Sequence, residues 1–214
     1  MYNVTSTKDL IDKDLLSKLK IDSILLSYDD NTKKEIKKAN YQDEMDWIVG
    51  NKKRNEFIKN LGTSLSGNTL ILFQFVEKHG KILHELIKEA NPDKKVFFIY
   101  GKTDVEIREE VRHIAEDTDD AIIIASYGTF STGVSIKRLH NIIFASPSKS
   151  RVRVLQSIGR QLRKSEFKEC ARLYDIGDDL SFGKYRNHTL RHFLERIKIY
   201  KSEGFHFSPK SIRI

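Results

Sequence analysis

Four short runs constrain this chain more than anything else in it: Thr69–Phe75 (TLILFQF), Lys95–Tyr100 (KVFFIY), Ala121–Ala125 (AIIIA) and Asn141–Ala145 (NIIFA). A strand with one face in water alternates apolar and polar residues. A strand that is apolar nearly throughout is covered on both faces, as in a parallel sheet between two helix layers. The segments between these runs carry apolar residues at helical spacing: Val76–Glu89, closed by Asn91-Pro92, and Val105–Glu116. Ile21–Leu26 and Ala171–Ile176 read as further strands, and Arg151–Leu162 and Tyr185–Glu203 as further helices. Tyr41–Leu65 is also helical in pattern, with a break near Gly50. Strands alternating with helices at this spacing form βαβ units with right-handed crossovers. The expected fold is therefore α/β, a mostly parallel sheet covered by helices on both faces.

In such sheets ligands gather beyond the carboxyl ends of the strands. The residues following Phe75, Tyr100, Ala125, Ala145 and Ile176 are accordingly where function is sought. Met1–Lys20 shows no core strand and reads as an entry segment from whatever precedes it, leaving residues 21–214 as the folded domain.

Bulk properties close off several classes. No apolar run approaches the roughly 18 residues a membrane span needs, and Met1–Leu10 lacks an apolar signal core, so a cytoplasmic protein is expected. The single cysteine, Cys170, has no partner for an internal disulfide and reads as a small core residue in a reducing compartment. The 38 Lys and Arg exceed the 30 Asp and Glu by eight. That excess suits a polyanionic partner, because each neutralised phosphate releases counterions. It also simply keeps a protein soluble.

The most specific stretch is Gln156-Ser157-Ile158-Gly159-Arg160-Gln161-Leu162-Arg163. On a helix, Arg160 and Arg163 share one face, and Gly159 lets a backbone or phosphate approach closely. Two guanidiniums aimed the same way suit the γ-phosphate of a nucleotide held on a neighbouring domain. A second segment, AIIIASYGTFSTGVS over Ala121–Ser135, runs from a buried strand into small hydroxyl residues and glycines, which offer donors to phosphates. A third, TLILFQFVEKHG over Thr69–Gly80, feeds a strand into a helix whose polar candidates are Gln74, Lys78 and His79. His79 by itself reads as a surface or capping residue.

Tyr100-Gly101-Lys102-Thr103 imitates the end of a phosphate-binding P-loop, but that loop needs a glycine five positions before Gly101, where Val96 stands inside a strand. The helix Tyr185–Glu203 carries Arg186, His188, Arg191, His192, Arg196, Lys198 and Lys201 opposite Leu190, Phe193, Leu194 and Ile197. His188 and His192 lie one turn apart, yet no cysteine and no acid in an HExxH-like arrangement accompanies them, so they read as sharing a helix surface and no metal site is expected.

The pattern Gln-x-x-Gly-Arg-x-x-Arg, preceded by ASYGTFSTGVS and TLILFQFVEKHG, resembles motifs VI, V and IV of superfamily 2 DNA helicases. With LYDIGDDL and the stretch from KIDSILL to KKRNEFI, the resemblance covers nearly the whole chain and leans to phage recombination helicases that act on branched DNA. It implies the RecA-like second motor domain of such an enzyme. By this resemblance Arg160 and Arg163 contact the γ-phosphate, with Arg163 as the arginine finger, and Gln156, Gly159, Gly133 and Ser135 approach the nucleotide. Relatives often carry an acidic residue where Ser135 stands. Ser126, Thr129, Ser131 and Thr132 would lie near the DNA backbone, as would Gln74, Lys78, Gly101 and Lys102.

The resemblance further implies Mg2+-ATP held mainly by an N-terminal RecA-like domain, branched DNA as partner, and the cytoplasm of a bacterial host if the gene is phage-borne. Neither a Walker A loop nor a DExH motif occurs in these 214 residues. The chain reads as one half of a composite ATP site, inactive without the other. Two further readings stay open from the residues alone. One is a non-catalytic nucleic-acid-binding module, and the other a self-contained nucleotide enzyme using Gly101–Thr103.

Overall fold

The computed structural model describes residues 18–131, 136, 138–147 and 170–214. The first strand, β1 (Lys18–Ser27), leads through α1 (Asp30–Ile36), α2 (Tyr41–Gly50) and α3 (Lys52–Ser64) to β2 (Thr69–Phe73). A π-turn over Val76–Gly80 runs into α4 (Lys81–Ala90), followed by β3 (Val96–Ile99), α5 (Val105–Asp117) and β4 (Ile122–Ser126). Then come the short α6 (Tyr127–Ser131), β5 (Asn141–Phe144), β6 (Cys170–Asp179), α7 (His188–Ser202) and β7 (His206–Arg213).

The strands form one seven-stranded sheet in the order β3-β4-β2-β5-β6-β1-β7, and every pair is parallel. Alternation along the strands splits the core into two layers, as continuous apolar runs require. Leu70, Leu72, Ile123, Ile142 and Leu173 pack with Val111 and Ala115 of α5 and Tyr200 of α7. Ile71, Phe73, Ile124, Ile143 and Ile176 pack on the other face with Ile48, Ile58, Leu83 and Ile87 of α2, α3 and α4. Among the described residues, no helix is long and apolar enough to cross a membrane.

Local chemistry explains the punctuation. The break expected near Gly50 falls at Asn51, which ends α2 and whose side chain then accepts from the Arg54 N–H at the start of α3. At Gly80 a side chain would place its Cβ 2.6 Å from the Phe73 ring. Glycine there lets the π-turn settle on the end of β2, and the Gly80 N–H donates to the Phe75 carbonyl at 2.9 Å. At Gly177 a Cβ would meet Phe193 at 2.4 Å, so the bare backbone of β6 receives the crossing of α7.

Several expectations need correction. β1 begins at Lys18, with Leu19 already in the core, so the stretch to Lys20 does contain strand. β6 runs on past Ile176 to Asp179, because Gly177–Asp179 keep pairing with Leu25–Ser27. α7 starts at His188 rather than Tyr185, which instead bridges to Phe182. Cys170 is half-buried at the start of β6 rather than enclosed in the core. The polar edge strand β7 was not expected. Its Pro209 sits where a missing N–H is tolerated, on an edge. The expected helix over Arg151–Leu162 lies outside the described residues.

Candidate nucleotide and nucleic-acid interface

Because all strands are parallel, one edge of the sheet collects every carboxyl end: Gln74 after β2, Tyr100 after β3, Ser126 ending β4, Ser146 after β5 and Asp178 in the last turn of β6. Gln74 is exposed, and its backbone N–H donates to Ser146 Oγ at 3.0 Å. Lys78, also exposed, lies in the π-turn with Nζ 2.8 Å from Asp46 of α2. That pair holds the Asp46 carboxyl below its usual range, the Lys78 hydrogen bond being the main cause. Gly101 and Lys102 are exposed at the tip of the β3–α5 turn. Open space surrounds the Gly101 Cα, and Arg108 Nη2 donates to the Gly101 carbonyl at 3.0 Å.

Ser126 and Thr129 face each other, their hydroxyls 2.7 Å apart, with Thr129 buried. Ser131 is the last residue of α6. Thr132, Gly133, Ser135, Gln156, Gly159, Arg160 and Arg163 lie outside the described residues. The structure thus brings Gln74, Lys78, Gly101, Lys102, Ser126 and Thr129 to one edge.

His79 departs from expectation: it is fully buried. Its Nδ1 lies 2.7 Å from Ser146 Oγ and its Nε2 3.2 Å from Asn55 Oδ1. The Asn55 amide is oriented by donating Nδ2–H to the Val49 carbonyl at 2.9 Å, so its oxygen faces His79. Nε2 therefore carries the proton, and Nδ1 accepts from Ser146, whose Oγ accepts in turn from Gln74. Tyr127, opening α6, donates its hydroxyl to the Ser146 carbonyl at 3.0 Å. Ser146 thus fastens together the π-turn after β2, the helix after β4 and the end of β5.

Burial, and secondarily the charge of Arg54, push His79 well below the usual 6.5. The sign follows directly. Above about pH 6.5 the ring is neutral folded and unfolded, and its hydrogen bonds contribute in full. Below that, the unfolded chain takes up a proton that the folded one refuses, so stability falls with pH until the folded ring also titrates. Urea unfolding between pH 7.5 and 5 is expected to show a slope approaching one proton, about 1.4 kcal/mol per pH unit. His79→Gln is expected to flatten it, leaving the smaller contribution of half-buried His84, displaced in the same direction mainly by burial. An unchanged slope in the variant would remove His79 as the cause.

Two buried ion pairs on β6 escaped sequence reading. Asp178 takes Arg54 of α3 through Nε at 2.8 Å and Nη2 at 3.1 Å, and the Tyr28 hydroxyl at 2.7 Å. On the other face Asp175 takes Arg196 at 2.7 and 2.9 Å and Tyr200 at 2.7 Å. Arg196 is thereby removed from the basic surface of α7, where Arg191, Lys198 and Lys201 are exposed, as is Arg186 just before the helix. His188 and His192 both meet the edge of Tyr41, at 6.0 and 5.5 Å between ring centroids. Glu44, fully buried in α2, accepts from the His188 and Thr189 N–H groups at 2.9 and 2.7 Å, so its carboxylate caps α7.

An all-parallel, helix-covered sheet with its polar candidates along the carboxyl edge is the RecA-like architecture of helicase carboxyl-terminal domains. Residues 52–165 match the model of the helicase conserved C-terminal domain, and the chain belongs to that family. It is 36% identical over 227 residues to the ATP-dependent DNA helicase uvsW of Enterobacteria phage T4, in an alignment covering all of this chain and 45% of the relative. It superimposes on the crystal structure of T4 UvsW with a TM-score of 0.80, over 98% of this chain and 42% of that one. The chain thus spans less than half the length of these relatives. The C-terminal domain of the DEAD-box protein Dbp5, 11% identical, matches with a TM-score of 0.56 over 93% of this chain and 92% of its own, a likeness of fold alone.

Proposed function

We propose that the chain is the C-terminal motor half of an ATP-dependent superfamily 2 DNA helicase acting on branched DNA in recombination, replication and repair. The motor domain starts with β1 at Lys18, and the segment before it enters from an N-terminal RecA-like domain, which holds most of the Mg2+-ATP. Arg160 and Arg163 complete the nucleotide site across the cleft, helped by Gln156, Gly159, Gly133 and Ser135. Gln74, Lys78, Gly101, Lys102, Ser126, Ser131 and Thr132 line the DNA track, and buried Thr129 holds the Ser126 hydroxyl from beneath.

One observation carries the reading. The Gln-x-x-Gly-Arg-x-x-Arg pattern of Gln156–Arg163 falls within a family match that ends at residue 165, in a chain similar throughout to a phage protein named as an ATP-dependent DNA helicase. The fastening of the π-turn, α6 and β5 through Ser146 supports it, since closure of one domain on another transmits force only through segments that move together.

The test is strand separation of a forked duplex by the full-length protein with and without ATP and Mg2+. Separation is expected only with both. Lys78→Ala with Lys102→Ala is expected to weaken DNA binding about tenfold and to reduce its salt dependence by one to two phosphate contacts. Absence of both ATP-dependent separation and DNA-stimulated ATP hydrolysis would leave the motor reading without support.

A further inference from the structure

Away from the carboxyl edge, the amino ends of β6, β1 and β7 carry an unexplained concentration of charge. Parallel register sets the side chains of three neighbouring strands in rungs on one sheet face. Arg172, Lys20 and His206 form one rung, Tyr174, Asp22 and Ser208 the next, and Ile176, Ile24 and Lys210 the third. The third rung lies in the core, with Ile24 and Ile176 buried, and Tyr174 of the second rung is buried beside them. The first is open to solvent, with Lys20, Arg172 and His206 exposed. Between them lies a cleft of about 250 Å³ lined by Lys20, Ile21, Asp22, Arg172, His206, Ser208 and Lys210.

The charge in this cleft is unbalanced. Its one carboxylate, Asp22, is taken by Lys210, whose Nζ lies 2.7 Å from Oδ1. Arg172 rests on the Tyr174 hydroxyl, the largest of the influences that raise its pKa. Lys20 has no ion pair among the described residues. Like charges directly opposite one another across paired strands destabilise a sheet, yet Lys20 stands directly opposite Arg172. An anion held between them turns that repulsion into attraction. The rungs also add a hydroxyl at Ser208 and an imidazole at His206, donors suited to phosphate oxygens.

We infer that this cleft binds a backbone phosphate of DNA, at a second contact separate from the carboxyl edge. The two edges are about 20 Å apart along β1, from the rise of a strand between Lys20 and Ser27. A single strand lying along the carboxyl edge does not reach it. A second arm of a branched molecule does, so the inference rests on, and sharpens, the proposed action on branched DNA.

The experiment compares the full-length protein with its Lys20→Ala/Arg172→Ala variant, measuring affinity for a forked duplex across a salt series. The variant is expected to bind about tenfold more weakly, with the slope of log affinity against log salt lowered by one to two. The charge-preserving Lys20→Arg/Arg172→Lys variant is expected to bind like the wild type, and thermal unfolding of both variants checks that the fold persists. Equal affinity and equal slope in wild type and alanine variant would overturn the second contact while leaving the motor reading intact. Loss of binding in the charge-preserving variant as well would also overturn it, since phosphate attraction survives that exchange. A wild-type protein that binds no DNA at all would instead defeat the underlying reading and this one with it.

Discussion

Replacing Arg163 by alanine in the full-length protein is expected to lower DNA-stimulated ATP turnover a hundredfold or more while leaving DNA affinity within about twofold. The reason is where charge develops. In phosphoryl transfer the γ-phosphate oxygens gather negative charge at the transition state, and a guanidinium aimed at them from a neighbouring domain is worth roughly 10³–10⁵ in rate, or about 4–7 kcal/mol. That stabilisation exists only when the domains close, so the loss falls on turnover rather than on binding of DNA. Arg163→Lys is expected to recover little, because an ammonium cannot present the planar fork that spans two phosphate oxygens. Arg160, three residues earlier in the motif, is expected to affect turnover through the same phosphate, so the double variant loses less than the product of the single losses. Equal turnover in wild type and Arg163→Ala removes the residue from catalysis. It favours the alternative, a RecA-like module that binds nucleic acid without an ATP cycle.

What the sequence revealed and what it hid divide along physical lines. Buried parallel strands announce themselves, because residues such as Ile122, Ile123 and Ile124 must be apolar on both sheet faces. The carboxyl edge followed from topology alone, and with it the shared location of Gln74, Lys78, Gly101, Lys102 and Ser126. By contrast β7 is polar, carries Pro209 and lies on an edge, so no apolar pattern marks it. The buried polar groups were invisible for a different reason. His79 and Arg196 have the composition of surface residues, and only a partner far along the chain makes burial tolerable. Ser146 lies 67 residues from His79, and Asp178 lies 124 from Arg54. A one-dimensional pattern holds no trace of such pairing. The faint signal was local: LYDIGDDL places three aspartates in an otherwise apolar strand, and two of them, Asp175 and Asp178, take the buried arginines.

Asp178→Ala is expected to destabilise the protein by about 3–5 kcal/mol, the loss typical of leaving a buried charge without its partner. Both Arg54 and Asp178 are wholly enclosed. Burial alone would push the Arg54 guanidinium toward its neutral form, but the facing Asp178 carboxylate, with Tyr28 beside it, more than offsets this and holds the charge. Removing the carboxylate leaves that charge with the buried Tyr28 hydroxyl, which itself loses its acceptor. One nitrogen of Arg54, Nη1, already has no hydrogen-bond partner among the described residues, so the guanidinium has little to fall back on. A loss of that size is a third or more of the stability of an ordinary domain, and urea unfolding would show it as a large drop in midpoint.

The double variant Arg54→Met/Asp178→Leu separates the two ways such a pair can matter. If the pair chiefly avoids an unpaired charge, replacing both members with apolar groups recovers most of the loss, because desolvating two ions offsets much of their attraction. Arg54→Met alone is expected to cost nearly as much as Asp178→Ala, since it strands the carboxylate at the carboxyl end of β6. A loss below about 1 kcal/mol for either single variant would mean that water reaches the pair. The double variant also reports on His79, because the Arg54 charge adds to burial in lowering its basicity. With the guanidinium gone, the ring is expected to take up its proton at higher pH. The acid-side fall in stability that His79 contributes then shrinks, and a pH series on the double variant reads that change independently of the loss of the ion pair.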